Sequence, residues 1–521
     1  MLSWRQKRKL RSIKNQWKQA TDQRSAPPVS MPEKLHPSLS DNMVVLRSKC
    51  ENTSDLNVRE ITVGGTKLSL MVIEGMVNLQ VVAEMVLDPL LTAEFSESGD
   101  GEALYRFIEE QTIMAVDLQD VYEFDELFRF LMSGFVVVLI DGVDKGIAMG
   151  AQGFSFRSIS EPTSEVNELG SHEGFTEPIR INMTMIRRRI KSTALKFELQ
   201  SIGTVSKTDI CLVYMTDVVS KELLSEVRHQ LSQVDLELIL TSGYLQPFLE
   251  GKQASLFSDV GRTERPDTLC AKIQEGRVAL LIDGTPYALI LPYLFSENFQ
   301  SIDDYCHKPY YATFIRLLKY ASFAISILLP GTYVAVGTFH PELFPDALLF
   351  NIVSSQETTP FSLMVEALVI HFIYEIMREA GIRLPRPVGH AVSIVGALVI
   401  GDAAVTAGLI GTPMVLVVAL TAISSFVVPS LSEAISILRF VFILVGGMLG
   451  LYGIALVSAM VMTNACALTA FGVPYLSPIS PLSPRAMRDV FARLSFRLLQ
   501  RRTARIQDLK GVHVRSGEED L

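Results

Sequence analysis

A chain of 521 residues is too long for one ordinary domain, and its hydrophobic fraction of 48% with a mean hydropathy of +0.29 is high. A net charge of −9 argues against a nucleic-acid binder, which needs an excess of Lys and Arg. Five cysteines, odd in number, scattered and without a CxxC pair, support neither a disulfide framework nor a zinc site and suit a reducing compartment.

The excess apolar character lies after Tyr320, so the chain divides into a soluble half and a membrane half. Residues 1–40 read as a basic flexible arm and linker. The stretch MLSWRQKRKLRSIKNQWKQATDQRSAPP has no continuous apolar core and is not a secretory signal, and Pro27, Pro28 and Pro32 mark the linker. Residues 41–165 read as a first α/β lobe. VREITVGGTKLSLMVIEGMV, from Val58, predicts strand, Gly-Gly turn, strand, while ALYRFIEEQT and DVYEFDELFRFLMSG predict helices. GFVVVLIDGVD, from Gly134, then predicts a buried hairpin turning at Asp141-Gly142, because Gly accepts positive φ and Asp bonds its own following backbone.

Residues 166–310 read as a second α/β lobe. TEPIRINMTMIRRRIK predicts a helix, DICLVYM a strand, and an amphipathic helix starts at Ser220. GRVALLIDGTP, from Gly276, repeats the first hairpin and turns at Asp283-Gly284, which predicts two related lobes. GVDKGIAMGAQG lacks the spacing and the Lys-Ser/Thr of a phosphate loop, and no Ser-His-Asp, Cys-His or metal-ligand set stands out, so neither an enzyme nor a cofactor is expected. Arg187, Arg188 and Arg189, with Asn182 on the same predicted helix, are candidates for contact with an anion or a partner's carboxylates; the other reading is a solvated face with local ion pairs.

Residues 311–475 read as an all-α polytopic membrane domain, and 476–521 as a basic tail on the cytosolic side. Apolar segments fall at 320–339, 388–410 and 440–462, with shorter or more polar ones at 414–428 and 361–377. Lys308, Arg316 and Lys319 flank the first, and the loop HPELFPDALLFNIVSSQETTP has no Lys or Arg, which places the soluble half inside. Arg378, Arg383, Arg386, Arg439 and the Arg-rich tail demand an even number of crossings. Either the segment with Glu366, His371 and Glu375 lies partly in the interface, or 438–473 makes two short crossings around its glycines. On a helix, His371 can meet Glu375 one turn later, whereas Glu366 faces another neighbour.

Several blocks carry a resemblance: TEPIRINMTMIRRRIK, SKTDICLVYM, TERPDTLCAKIQEGRVALLIDGTPYALILP, FHPELFP, REAGIRLPRPVGHAVSIVGALVIGDAAVTAGLI and FGVPYLSP. In order from about Leu127 to Pro484, the chain resembles the A subunits of GerA-type germinant receptors of endospore-forming bacteria. The resemblance implies a multi-pass protein of the spore inner membrane with two cytosolic α/β subdomains. It implies a homo-oligomeric, nutrient-gated ion channel acting with a transporter-like B subunit and a lipoprotein C subunit. The alternatives are the related subunit associated with the dipicolinate channel, and a non-conducting scaffold for B and C. Two positions depart from the family pattern: Pro360-Phe361-Ser362 stands where many members have Pro-Phe-Pro, and Asp402 where Gln or Glu often follows the membrane Gly.

Within 388–410, Gly396 and Gly401 permit close helix approach and Asp402 is an ionisable group inside an apolar segment, which normally faces a wet cavity or a partner. Small residues with one carboxylate suit a cation-preferring pore, with Val399 one turn earlier as its apolar constriction.

Overall fold

The computed structural model describes residues 34–51, 53–84, 88, 100–111, 118–150, 161–162, 164–251, 255–357, 359–384, 403–484, 486–495 and 505–512. They fall into two compact units: Met1–Ser155 with Lys191–Thr193, and Phe156–Ile190 with Ala194–Leu521. The expected arm, with Trp4 and Trp17, lies outside the described residues.

The first unit runs α1 (Leu39–Lys49), β1 (Leu56–Val63), β2 (Thr66–Ile73), α2 (Gly101–Gln111), β3 (Leu118–Val121), α3 (Phe124–Leu131), β4 (Phe135–Ile140), β5 (Gly146–Gly150). Its antiparallel sheet has the order β1-β2-β4-β5-β3. Gly64 and Gly65, both at positive φ, make the β1–β2 turn. Helices cover both faces, which is why every residue of β4 is apolar and buried. Val136, Val138 and Ile140 meet Leu104, Tyr105 and Ile108 of α2, while Val137 and Leu139 share a core with Leu39 and Met43 of α1 and with Phe124 and Leu127 of α3. The stretch read as one helix from Asp120 is in fact the end of β3 followed by α3.

The second unit repeats the plan with α4 (Ile179–Arg189), β6 (Leu195–Ile202), β7 (Thr208–Met215), α5 (Lys221–Ser232), β8 (Gly261–Thr263), α6 (Pro266–Gln274), β9 (Val278–Ile282) and β10 (Ala288–Leu291). The sheet order β6-β7-β9-β10-β8 is the same permutation. The repeat extends to single hydrogen bonds. Asp141 Oδ1 accepts from Leu39 N and Asp283 Oδ1 from Ile179 N, each at 3.0 Å. Gly142 N donates to Pro37 O and Gly284 N to Glu177 O. Asn42 bonds both backbone groups of His36, and Asn182 both of Thr176. In each lobe the hairpin Asp thus caps the first helix.

The second unit continues into α7 (Pro309–Phe339), α8 (Asp346–Glu357), α9 (Leu363–Arg383), α10 (Thr412–Phe426) and α11 (Ser432–Ala467). Among the described residues two helical stretches, Pro309–Phe339 and Pro429–Ala467, are long and apolar enough to cross a membrane. The second is not straight. Gly450 has φ 65° and ψ −152°, outside the helical region. A Cβ on Gly453 would stand 2.5 Å from Val445 Cγ1 and 3.1 Å from the Val445 carbonyl oxygen. In a straight helix residues eight apart are separated by about 12 Å, so α11 folds back on itself at Gly450. Its arms, 432–449 and 451–467, are each about 26 Å long, close to the ~30 Å hydrocarbon layer. The turn falls inside 438–473, the stretch whose glycines the sequence marks.

The outgoing arm crosses α7 at a pair of glycines: a Cβ on Gly331 would lie 2.6 Å from Phe442 O, and one on Gly446 2.5 Å from Gly331 O. α9 and α10 run parallel, since Glu366 pairs with Gly411 at one end and Tyr374 with Ser425 at the other.

The tail departs from expectation. Beyond α11 the chain forms a small hairpin, β11 (Thr469–Ala470) with β12 (Val473–Pro474). Val473, Ile506, Leu509 and Val512 then join the core of the second lobe beside Leu212, Val227 and Leu280. Apolar residues between the tail's arginines, rather than its charge, decide where it goes.

Candidate functional site: the helix bundle and its joint with the second lobe

The bundle buries charge among apolar side chains. Glu366, on α9, is 2% exposed, and its Oε1 accepts from Gly411 N at 2.7 Å, capping the start of α10. His371 is fully buried; its Nδ1 pairs with Ala367 O at 2.8 Å, and its Nε2 has no hydrogen-bond partner. Glu375 turns to α11: its Oε1 accepts from Arg439 Nη1 at 3.2 Å, and its Oε2 pairs with Arg378 Nη2 at 2.8 Å. Arg439 is fully buried, donates through Nε to Ser326 O of α7 at 3.1 Å, and sits 5.5 Å from the Tyr374 ring. One guanidinium therefore ties α7, α9 and α11 together.

A second knot lies where α7 enters the bundle. Arg316 is fully buried and donates through Nε to Asp304 Oδ2 at 2.6 Å. Its Nη1 reaches Asp489 Oδ1 at 2.7 Å and Asp489 O at 2.6 Å. Tyr305 donates to Asp489 Oδ2 at 2.6 Å, Gln300 Nε2 donates to Asp489 O at 2.8 Å, and Arg493 Nη2 donates to Tyr305 O at 3.1 Å. Lobe, helix and C-terminal segment meet at this arginine. Beside it Phe299 stacks on Tyr320 at 3.9 Å, and Phe295 packs edge-on against Phe323 and Tyr475. The segment before α7 is pinned from the lobe side by Glu297, which Lys272 contacts at 2.6 Å and Arg277 also engages. Burial alone would raise the Glu297 carboxyl, but Arg277 and Lys272 outweigh it and hold the group below the ordinary carboxylate value.

The family model described as "Bacillus/Clostridium GerA spore germination protein" matches residues 44–505. The chain belongs to the GerA family of spore germination proteins. "Spore germination protein KA" of Bacillus subtilis (strain 168) is 40% identical over 468 residues, 89% of this chain and 86% of that one. "Uncharacterized membrane protein YfkQ" of the same organism is 36% identical over 474 residues, 90% of this chain and 91% of that one. The crystal structure of the N-terminal domain of the A subunit of the Bacillus megaterium spore germinant receptor GerK3 covers 51% of this chain and 98% of its own, at 30% identity and a TM-score of 0.42.

In this GerA protein the residues singled out by sequence have different fates. Val399, Asp402, Gly396 and Gly401 lie outside the described residues. The expected His371–Glu375 contact is replaced: the imidazole bonds its own helix backbone and Glu375 takes two arginines, because opposite charge outcompetes a neutral ring. Glu366 points to another neighbour, the backbone N–H of Gly411. Asn182 and Arg187 are turned into their own lobe. Asn182 is 2% exposed and locks the turn before α4, while Arg187 is 1% exposed, donates to Leu195 O at 3.2 Å and lies 4.6 Å over Phe197. Arg188 and Arg189 are partly exposed and both pair with Glu173 of their own lobe. Sequence reasoning took Arg316 and Arg439 for cations flanking membrane segments and missed their pairing. The available signal was Glu375, a carboxylate in an apolar run that needs a cation on another helix.

Proposed function

We propose that this protein is the A subunit of a spore germinant receptor and acts in the spore inner membrane with its two lobes on the cytoplasmic side. In this reading several copies form a nutrient-gated cation path, together with a transporter-like B subunit and a lipoprotein C subunit. Membership of the GerA family along residues 44–505 carries the reading. The bundle supports it: glycine-mediated crossings, a folded-back α11 and buried ion pairs are what a protein-lined, partly hydrated membrane interior requires. The parallel course of α9 and α10 also supports one more crossing between them, which the reading assigns to 388–410 with Asp402 facing the path, Val399 closing it, and Gly396 and Gly401 admitting close neighbours.

The test is ion flux in liposomes holding the protein with its B and C subunits, K⁺ measured against Cl⁻. Asp402→Asn should weaken cation preference, and Val399→Ala should raise resting leak without changing selectivity. If neither variant alters its quantity, 388–410 does not line the path. A membrane that stays sealed under every nutrient condition leaves only the scaffold role.

A further inference from the structure

The first three turns of α7 hold one face inside the protein and leave the other bare. Ala312 and Arg316 are buried, Thr313 Oγ1 accepts from Arg493 N at 3.1 Å, and Lys319 Nζ donates to Ser301 Oγ at 3.1 Å. The opposite face carries Tyr310, Phe314 and Leu317, which are 89%, 61% and 52% exposed, with Tyr311 and Leu318 on its flank at 51% and 40%. Further along the helix the same stripe continues through Ala321 and Ala324, both exposed.

Lipid does not reach the start of this stripe. α7 has 31 residues and is about 46 Å long, so it overshoots a ~30 Å hydrocarbon layer by about 16 Å. The surplus lies at the start of the helix, because the apolar segment 320–339 fills the layer and the ion pairs of Arg316 and Lys319 with Asp304 belong outside it. Tyr310 then stands about 15 Å and Phe314 about 9 Å short of Tyr320 along the axis, whereas the headgroups extend only about 5–7 Å beyond the hydrocarbon. Aromatic rings at that height need a protein surface to cover them.

We infer that this stripe is a seam between two copies of the chain; the inference rests on the reading above that several copies insert the same way round. Tyr310, Phe314, Leu317, Ala321 and Ala324 recur at intervals of 4, 3, 4 and 3 residues, the d-a-d-a-d spacing of a coiled coil. Copies inserted with one topology hold their α7 helices parallel and at one depth, so like positions face each other in register. The aromatics then pack outside the membrane, and the alanines admit close helix approach within it. At ~200 Å² for an aromatic side chain, the three rings expose about 400 Å² per copy and about 800 Å² per pair. Leu317, Leu318 and the alanines carry the contact past the ~1,000 Å² of a specific interface.

The test uses the full-length protein in liposomes, with the exposed cysteines removed by Cys306→Ser and Cys466→Ser. Under copper phenanthroline, Leu317→Cys should form a disulfide-linked dimer at least tenfold faster than Tyr311→Cys, which is equally exposed but lies on the flank of the stripe. Phe314→Glu should weaken self-association at least tenfold, read by energy transfer between labelled copies as lipid dilutes them. The same variant in detergent, as a monomer, should unfold at the wild-type temperature, because the side chain is exposed within one chain. The inference is overturned if Leu317→Cys forms no dimer, if Tyr311→Cys forms it as fast, or if Phe314→Glu associates like the wild type. Lipid, the chain's own tail or a different protein on the stripe would give the first or the third of these results. If copies still associate in those cases, the multi-copy reading stands and the seam alone falls; a wild type that stays monomeric at every density removes both.

Discussion

Replacing Arg316 with Met keeps most of the side-chain volume and removes the charge from the joint. The structure sets the size of the effect. Arg316 is fully buried and makes three charge-assisted bonds between 2.6 and 2.7 Å, two to carboxylates and one to a carbonyl. Its loss strands Asp304, which is 2% exposed and keeps bonds to Ser301 N and Oγ with Lys319 3.8 Å away. Asp489, at 30% side-chain exposure, can hydrate in part. Breaking a buried pair by deleting one partner costs about 3–5 kcal/mol, and the lower half of that range applies here because Lys319 and solvent offset some of it. Thermal unfolding in nanodiscs reads the global loss, and protease cleavage within 486–495 reads release of the C-terminal segment. Arg316→Met/Asp304→Asn should recover a substantial part of the loss, since the most deeply buried orphan charge is then gone. A loss under about 1 kcal/mol, the range of a surface pair, would refute the reasoning, as would a double variant no more stable than the single.

Native Cys466 and a cysteine placed at Ser432 should both react with a membrane-impermeant maleimide from the same side of sealed vesicles; labelling from opposite sides would mean that α11 runs straight through. Asp141→Ala and Asp283→Ala should each cost about 1 kcal/mol, because each deletes a side-chain acceptor at the start of its lobe's first helix, the loss in α1 being the smaller since Ser38 Oγ still accepts from Asp41 N; no loss on denaturant unfolding of either variant would refute the lock. Glu165, whose Oε2 accepts from Thr263 Oγ1 at 2.6 Å, has its carboxyl pushed up to about 7 by burial, from an ordinary 4.5. The fold therefore prefers the protonated form. That contribution is full below pH 4.5 and is lost as pH rises through 7, so Glu165→Gln should flatten the decline in stability between those values; an unchanged pH profile would exclude Glu165 as its source.

The two-lobed half was legible because its signals are local. An Asp-Gly turn between two apolar runs specifies a hairpin from a dozen residues, and its recurrence pointed to the repeat that β1–β5 and β6–β10 display. The capping role of Asp141 and Asp283 was not legible, since each helix that they cap begins more than a hundred residues earlier in the chain. In the bundle, Glu366, His371 and Glu375 stood out by polarity alone, but their partners come from α10 and α11, and no spacing rule reaches that far. Arg439 was the instructive miss: a cation next to an apolar run reads as a boundary marker until its carboxylate partner is known. The fold-back at Gly450 was partly visible, because an apolar stretch too long for one crossing and dense in glycine either tilts or turns.

The tail's place in the second lobe has a consequence for biosynthesis. The lobe's leucines emerge from the ribosome long before Val473, Ile506, Leu509 and Val512, and every described helix of the bundle is made in between. One flank of that core stays open until the returning arm of α11 has delivered the chain to it. A chain that stops before residue 506 therefore leaves that apolar flank uncovered, and the lobe's core is completed only by residues that follow α11.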